Sequence, residues 1–518
     1  MTAAMHTPLT QEEPSDDGQV MRGGPDQPAG SPGWPVFLVP TATALSFVLT
    51  GLGHRQMWRD ETATWWGPSL SFHDLGRLIQ HIDVVFTVYY SLMHLWIGVL
   101  GTSPAALRLP SALAMGVSAG LVGLIGHRLF SWRTGMLAGL LFALLPTVTR
   151  YGQEARPYAF ATLFALIATL LLLRTLERPS LRDWTLYAAA VSGIGFSHLV
   201  SLSVLAAHAV LVIAAKRRGD RIAAYAFAAA VTAGLSAVVP MLAQGNTQSG
   251  QISWNVTTTA DLIAYPQTLF GASNTLGYAI IVLAVIGAAV LALLPASRSS
   301  AAMLVVWAVL PPVLTYVTAG RLHLFLPRYL LFTLPAWMLL VAALLTRLTG
   351  TLNQRARGGS PAKAVLGAVV VFAVTVVFGW QVLPSIHTAK QDLPQEPDYL
   401  GAARLVLQGE LPGDGIAFTT GMAERRVMAY DLRGHTQPKD VLMRFTPQQN
   451  GGYNATECEA PVTCLAGTKR LWLISTATNG NPFSAMSTPA EATALQKEFT
   501  IVHTTTLNHV AILLLQRK

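Results

Sequence analysis

The chain is expected to be a polytopic α-helical membrane protein carrying a small C-terminal α/β domain. Three observations point there: 52% hydrophobic residues against 12% charged, a mean hydropathy of +0.44, and a change of texture after Trp380. Soluble domains carry about 25% charged residues, so this composition is suited to lipid. The net charge of +9 is scattered between apolar runs, a pattern explained by the positive-inside rule and not by a nucleic-acid-binding face.

Residues 1–33 are rich in Pro, Gly, Asp and Gln and lack an apolar run. They read as a disordered cytoplasmic tail, not a signal peptide. A helix needs about 20 apolar residues to cross a bilayer. Such segments fall at 34–53, 107–127, 134–149, 157–173, 183–197, 199–215, 222–243, 274–296, 300–319, 328–346 and 364–384. The run Val88 to Leu100 is ambiguous at thirteen residues, short for a span and able to lie in the interface instead, and charge bias decides against its crossing. With that run outside the count, fourteen Arg and Lys residues fall in five short loops on one side, among them Arg128, Arg178, Arg217 and Arg347. Positive-inside bias then places the N-terminus in the cytoplasm and the C-terminus outside, with eleven spans in a domain covering 34–386.

This threading gathers the polar segments on the external side: the long loop 54–106, Arg150 to Tyr158, His198, the loop 244–273, and Arg321 to Tyr329. The loop opens on Trp58-Arg59-Asp60-Glu61 and also holds His73, Asp74, His81, Asp83, Tyr89 and Tyr90. Carboxylates at a membrane interface are costly unless partnered or functional. One held among aromatics gains basicity, which suits general-base work on a sugar hydroxyl. Asp60 and Glu61 are therefore the candidate catalytic pair, against a capping or ion-pairing role with Arg55 or Arg59. Arg328, Arg156 and Arg150 are candidate phosphate ligands, since a guanidinium matches phosphate oxygens two at a time. Glu154 pairing with Arg156, and Arg328 reaching for headgroups, are the competing structural roles. Asp83, Tyr89, Tyr90, Glu154, Tyr158 and His198 complete the candidate substrate-binding set.

Residues 387–518 read as a small extracytoplasmic α/β domain, with a helix over Asp398 to Gly409 and strands at Gly415 to Phe418, Arg470 to Ser475 and Val510 to Leu515. Glu424-Arg425-Arg426 reads as a solvated helix face. Cys458 and Cys464 either close a small disulfide loop or stand as two thiols. No phosphate-binding or dinucleotide fingerprint occurs, nor a zinc pattern. A divalent metal is left open, with Asp60, His81 or Asp83 as the oxygen-rich place for it.

Taken in order, Asp60-Glu61, Tyr89-Tyr90 with Leu95-Trp96, Arg108-Leu109-Pro110-Ser111, Gly126-His127-Arg128-Leu129-Phe130, Tyr151 through Tyr158, and Pro327-Arg328-Tyr329 resemble the GT-C superfamily of integral-membrane glycosyltransferases. Within it they are most similar to the protein O-mannosyltransferase and aminoarabinose-transferase-like group. The resemblance covers roughly residues 34–350 and implies a plasma-membrane enzyme working on the extracytoplasmic face. It also implies a polyprenyl-phosphate sugar donor and a lipid, glycan or protein acceptor, with Asp60 as base or acceptor-orienting group. His81-Ile82-Asp83-Val84-Val85-Phe86 stands where relatives carry His-Pro-Pro or Lys-Pro-Pro, so the acceptor is left open. The alanine- and arginine-rich style looks actinobacterial and favours mannose or arabinose. A transporter or flippase of lipid-linked sugar, or a non-catalytic assembly partner, are the alternatives; mostly Ala, Leu and Val spans with polar groups at one surface favour the enzyme.

Overall fold

A computed structural model describes residues 33–355, 361–419 and 423–518. The tail read at 1–33 lies outside these residues apart from Gly33. Each of the expected apolar segments falls on a helix or a bent helix pair. Among the described residues seven helices are long and apolar enough to cross a membrane, or nine if each of two bent pairs counts as one span. The chain is a multi-pass membrane protein. Trp34–Leu49, with 16 residues, and Leu181–Ser197, with 17, are the two expected spans that fall short of that length. The bends have a local cause. Trp132–Ala143 and Pro146–Gly152 meet at 60°, and Arg221–Ser236 and Val239–Thr247 at 48°. Each second helix carries a proline in its first turn, where a missing N–H is tolerated but continuation of the first helix is not.

Helix Pro104–Leu129 is the centre of the bundle, packed on Trp34–Leu49, Trp132–Ala143 and Tyr158–Glu177. Close approach to the first helix depends on glycine. A Cβ at Gly123 would collide with the Val36 carbonyl oxygen, and one at Gly120 with the Thr41 hydroxyl and Phe37. Small residues permit such backbone contact where lipid offers no hydrophobic drive to associate. Inside the bundle, His208 is buried between two partners, its Nδ1 2.8 Å from the Tyr187 hydroxyl and its Nε2 2.9 Å from Thr169 Oγ1.

The two ends of the bundle differ. At one, Arg128 pairs with Glu177 at 2.9 Å, Arg174 with Asp183 at 3.8 Å, and Arg347 donates to Ser297 Oγ. At the other, the short helices Arg59–Ser69, Phe72–His81 and Thr87–Leu100 meet the C-terminal domain, at helix Ala423–Asp431 and at Gln448, Gln449 and Tyr453. Thr87–Leu100 buries Tyr89, Tyr90 and Met93 and leaves Leu92, Leu95 and Val99 exposed, as expected for a helix lying along an interface.

Seven strands follow: β1 Gly415–Phe418, β2 Lys439–Asp440, β3 Met443–Phe445, β4 Thr456–Glu457, β5 Arg470–Ser475, β6 Phe499–Leu507 and β7 Val510–Arg517. Five form a sheet in the order β2-β1-β5-β7-β6, with β1 parallel to β2 and β5, and β7 antiparallel to β5 and β6. β3 and β4 make a separate antiparallel pair. Trp472 of β5 faces Leu514 of β7 in register. Helix Tyr399–Gly409, capped by the Asp398 carboxylate, covers one sheet face through Ala402, Ala403 and Val406. Leu495 and Phe499 close the other. β6 was not expected: it is an exposed, threonine-rich edge without apolar alternation. Cys458 and Cys464 form a disulfide.

Gly123→Val is expected to abolish a stable bundle, because the clash is with backbone that has no rotamer to move. Size-exclusion chromatography of the detergent-solubilised variant checks this, with aggregation or loss of yield as the expected result.

Candidate functional site

The site is built on one buried ion pair. Glu61 lies in the first turn of Arg59–Ser69 and is fully buried. Its Oε1 and Oε2 accept from Arg108 Nε and Nη2 at 2.7 and 2.8 Å. Arg108 sits near the start of helix Pro104–Leu129 and is itself fully buried. Its remaining donors go to the carbonyls of Leu52, Arg55 and Gln56, each at 3.0 Å. All five guanidinium N–H groups are thereby spent. The Ala155 amide donates to Glu61 Oε1 at 2.9 Å, and Arg55 lies 3.8 Å from Oε2. Burial alone would raise the Glu61 pKa, but Arg108 at hydrogen-bond distance, with Arg55 and the Ala155 amide, brings it down to about 2. Glu61 is therefore not a catalytic acid or base, contrary to the expectation: it is a sealed anion that holds loop, span and the 153–156 turn together.

Its neighbour turns the other way. Asp60 is 30% exposed, and its Oδ2 lies 3.9 Å from Arg328 Nη2. Arg328, 19% exposed, opens the 3-10 turn Pro327–Thr333 at the head of helix Leu334–Arg355. Its guanidinium lies near the rings of Trp58, Trp254 and Tyr329, at 5.7, 5.9 and 5.6 Å. Arg156 stacks over Phe86 at 4.3 Å and points Nη1 at the Asp60 carbonyl, 3.5 Å away. The Nε atoms of Arg328 and Arg156 and the indole nitrogen of Trp58 are buried without hydrogen-bond partners. Buried donors normally have partners; unspent donors on two cations beside one carboxylate make a cluster suited to an anion. Tyr158 stacks with Tyr329 at 5.8 Å, and His198 lies 4.3 Å from Tyr329 and 5.8 Å from Tyr158. Burial, followed by the charges of Arg328 and Arg156, pushes His198 down to about 3, so its imidazole is neutral near pH 7. Its Nδ1 is buried and unpartnered, leaving it free to bond a substrate hydroxyl.

Other expected site residues are engaged elsewhere. Arg150 pairs with Glu154 at 3.0 Å, so Glu154 does not pair with Arg156 and Arg150 is not a free phosphate ligand. Burial raises the Glu154 pKa against the pull of Arg150. Asp83 has a left-handed backbone (φ 61°), a conformation Asp tolerates better than most residues. From it, one carboxylate oxygen accepts from Tyr90 at 2.9 Å and from Tyr453 at 2.7 Å. Tyr90 is fully buried and Tyr89 nearly so. Asp83, Tyr90 and Tyr453 form a clasp between the loop and the C-terminal domain. His81 bonds the Arg77 carbonyl. Among the described residues no three of His, Cys, Asp and Glu converge as a metal site.

Several functional residues were not assigned roles from the sequence. Arg108 carried a readable signal, a cation near the start of an apolar helix whose other arginine, Arg128, lies in its last turn. Trp58, Tyr329, Trp254 and Glu396 did not. Glu396, 4% exposed, pairs with Arg59 at 3.2 Å and lies in the link between the last helix and the sheet. The Glu424-Arg425-Arg426 segment is not a solvated face: Glu424 and Arg425 are buried, and Arg425 pairs with Asp440 and Glu457. Strand carboxylates distant in sequence compensate that charge.

Two crystal structures of ArnT from Cupriavidus metallidurans share this architecture. The one bound to undecaprenyl phosphate aligns over 94% of this chain and 98% of ArnT, at 14% identity and a TM-score of 0.58. The apo state aligns over 93% and 98%, at 14% identity and 0.57. The fold is that of ArnT. Residues 87–244 also match the dolichyl-phosphate-mannose-protein mannosyltransferase family. The resemblance to GT-C glycosyltransferases read from the sequence stands on these two findings. An oligosaccharyltransferase from Archaeoglobus fulgidus aligns over 91% of this chain and 72% of its own, at 11% identity and 0.49. No curated protein matches the chain in sequence.

Removing one member of the Glu61–Arg108 pair leaves a buried charge alone, so Glu61→Gln should cost about 3–5 kcal/mol of stability at neutral pH. Because the folded pKa of Glu61 lies below its ordinary 4.5, the stabilisation is complete above that pH and is lost as pH falls toward 2. Thermal unfolding in detergent, compared between wild type and Arg108→Met, should show the acid-side loss in the wild type and a reduced loss in the variant.

Proposed function

We propose that the protein is a glycosyltransferase that moves a sugar from a polyprenyl-phosphate donor to a hydroxyl of a lipid, glycan or protein acceptor. The observation that carries this is the 3.9 Å pair of Asp60 and Arg328, which would set one base beside one phosphate-seeking cation. The fold shared with ArnT, found bound to undecaprenyl phosphate, and the match over residues 87–244 support the donor class.

In the proposed reaction Asp60 takes the proton of the acceptor hydroxyl. The acceptor oxygen attacks the anomeric carbon as the bond to the phosphate oxygen breaks, so one displacement inverts the anomeric centre. The phosphate leaves as a stable anion, and Arg328 with Arg156 stabilises it without a general acid. Half-buried Tyr329 and neutral His198 hold the sugar, and Tyr158, buried, backs both rings. In the free enzyme Asp60 occupies Arg328; an arriving phosphate takes that cation and releases the carboxylate for its work as base. The polyprenyl tail stays in the bilayer beside the spans, which presents its phosphate at the interface. The basic loop end of the bundle is assigned to the cytoplasm, placing the cluster on the extracytoplasmic face of the plasma membrane, with mannose or arabinose as the sugar class.

Asp60→Asn is expected to lower transfer by at least about a hundredfold, while polyprenyl-phosphate binding is retained or tightened, since the competing carboxylate charge is gone. Arg328→Gln should instead weaken that binding by about tenfold or more. Transfer of radiolabelled sugar from polyprenyl-phosphate mannose or arabinose to a membrane extract measures the first, and equilibrium binding the second. Near-normal turnover in Asp60→Asn would remove the mechanism.

A further inference from the structure

A cavity of about 250 Å³ lies between helix Arg59–Ser69 and the C-terminal sheet. Trp66 forms one wall, and Phe418, Arg426, Met428, Gln437 and Tyr453 are among the residues opposite. It is separate from the Arg328 cluster. Trp66 is six residues beyond Asp60 on the same helix, which sets them about 9 Å apart along its axis. The Trp66 and Tyr453 rings meet at 5.5 Å and 56°, making an aromatic corner.

Arg426 is the unusual member. Its guanidinium stacks on Tyr453 at 4.5 Å. Nε donates to Thr62 Oγ1 at 3.3 Å and Nη2 to the Arg59 carbonyl at 2.9 Å. Nη1 is buried with no partner. No carboxylate among the described residues forms an ion pair with it, whereas the adjacent Arg425 is neutralised by Asp440 and Glu457. A half-buried cation held by neutral groups alone, with one buried N–H group unspent, keeps an unmet attraction for an anion. The rest of the lining is mainly apolar, with Gln437, Thr446 and the mutually paired Arg425 and Asp440 as its other polar members, so Arg426 is the cation left to meet an anionic group carried on a body with an apolar face. The cavity lies just below the size range of ordinary ligand pockets, which restricts it to one small ring-sized unit and not a stretch of polypeptide.

We infer that this cavity is an acceptor subsite for an acidic sugar: the pyranose face rests on Trp66 and Tyr453, and its carboxylate or phosphate pairs with Arg426. The inference rests on the glycosyltransferase reading and adds the acceptor class to it. The occupant is the acceptor because the donor phosphate is already provided for at Arg328 and the cavity faces the sheet, away from the spans that receive the lipid tail. An acceptor unit bound there leaves the next unit of the glycan to reach Asp60. Arg426, through Arg59 and Thr62, also ties the subsite to the two residues flanking the Asp60-Glu61 pair.

Full-length protein in detergent, titrated with sodium D-glucuronate and with D-glucose by saturation-transfer NMR, tests this. Glucuronate should bind about tenfold or more tightly than glucose, the difference made by one charge-assisted hydrogen bond. Arg426→Gln should abolish that preference, and Trp66→Leu should weaken both sugars. Equal affinity for the two sugars overturns the inference, as does an unchanged preference in Arg426→Gln. So does sodium sulfate binding as well as glucuronate in a manner indifferent to Trp66→Leu, which marks a bare anion site, or a blocked acidic dipeptide outcompeting glucuronate, which marks a peptide site. If Arg426→Gln does not fold, the wild-type preference and Trp66→Leu decide. Polyprenyl-phosphate binding by the same preparations reports on the Arg328 cluster alone, so a failure here and a failure of the donor reading are told apart.

Discussion

The Glu61–Arg108 pair is the interaction on which the rest of the site depends. A carboxylate and a guanidinium, both fully buried, would each be prohibitively costly alone. Together they are satisfied by each other, by three carbonyls and by one amide. The arrangement fixes helix Arg59–Ser69 in rotation as well as position. On a helix, adjacent residues point about 100° apart. Locking Glu61 inward therefore turns Asp60 toward Arg328. The same pair holds the amide of Ala155, so Arg156 is delivered to the cluster by its neighbour.

Specific charges were legible in the sequence to different degrees. Asp60, Arg328 and Arg156 could be found because each is an ionisable residue at the edge of an apolar run, where unpaired charge demands a reason. Helix positions followed from the length of apolar runs, and the strands Gly415–Phe418 and Arg470–Ser475 from their continuous apolar character. What sequence could not resolve was pairing. Glu61 and Asp60 have the same neighbours and the same chemistry on paper; only the long-range partner, Arg108, separates a structural anion from an exposed one. Arg425 read as solvated because its partners lie on strands fifteen and thirty-two residues away. β6 escaped notice because an exposed edge strand has no buried face to impose a period of two.

The aromatic residues divide in the same way. Tyr89 and Tyr90 looked like ligands for a sugar, yet they lie under the loop and serve as its base. Tyr329 and Trp58, less conspicuous beside stronger motifs, supply the ring faces around Arg328. What each ring faces is set by the assembled bundle and not by its residue type.

The clasp from Asp83 to Tyr453 spans 370 residues of sequence. Synthesis runs from the N-terminus, so the membrane helices and the Asp60 cluster exist before their cover does. Until Tyr453 and Arg426 emerge and dock, the loop carrying Asp60 lacks its final restraint. Maturation of the site is therefore a late event in the life of each molecule, coupled to delivery and folding of the last strands.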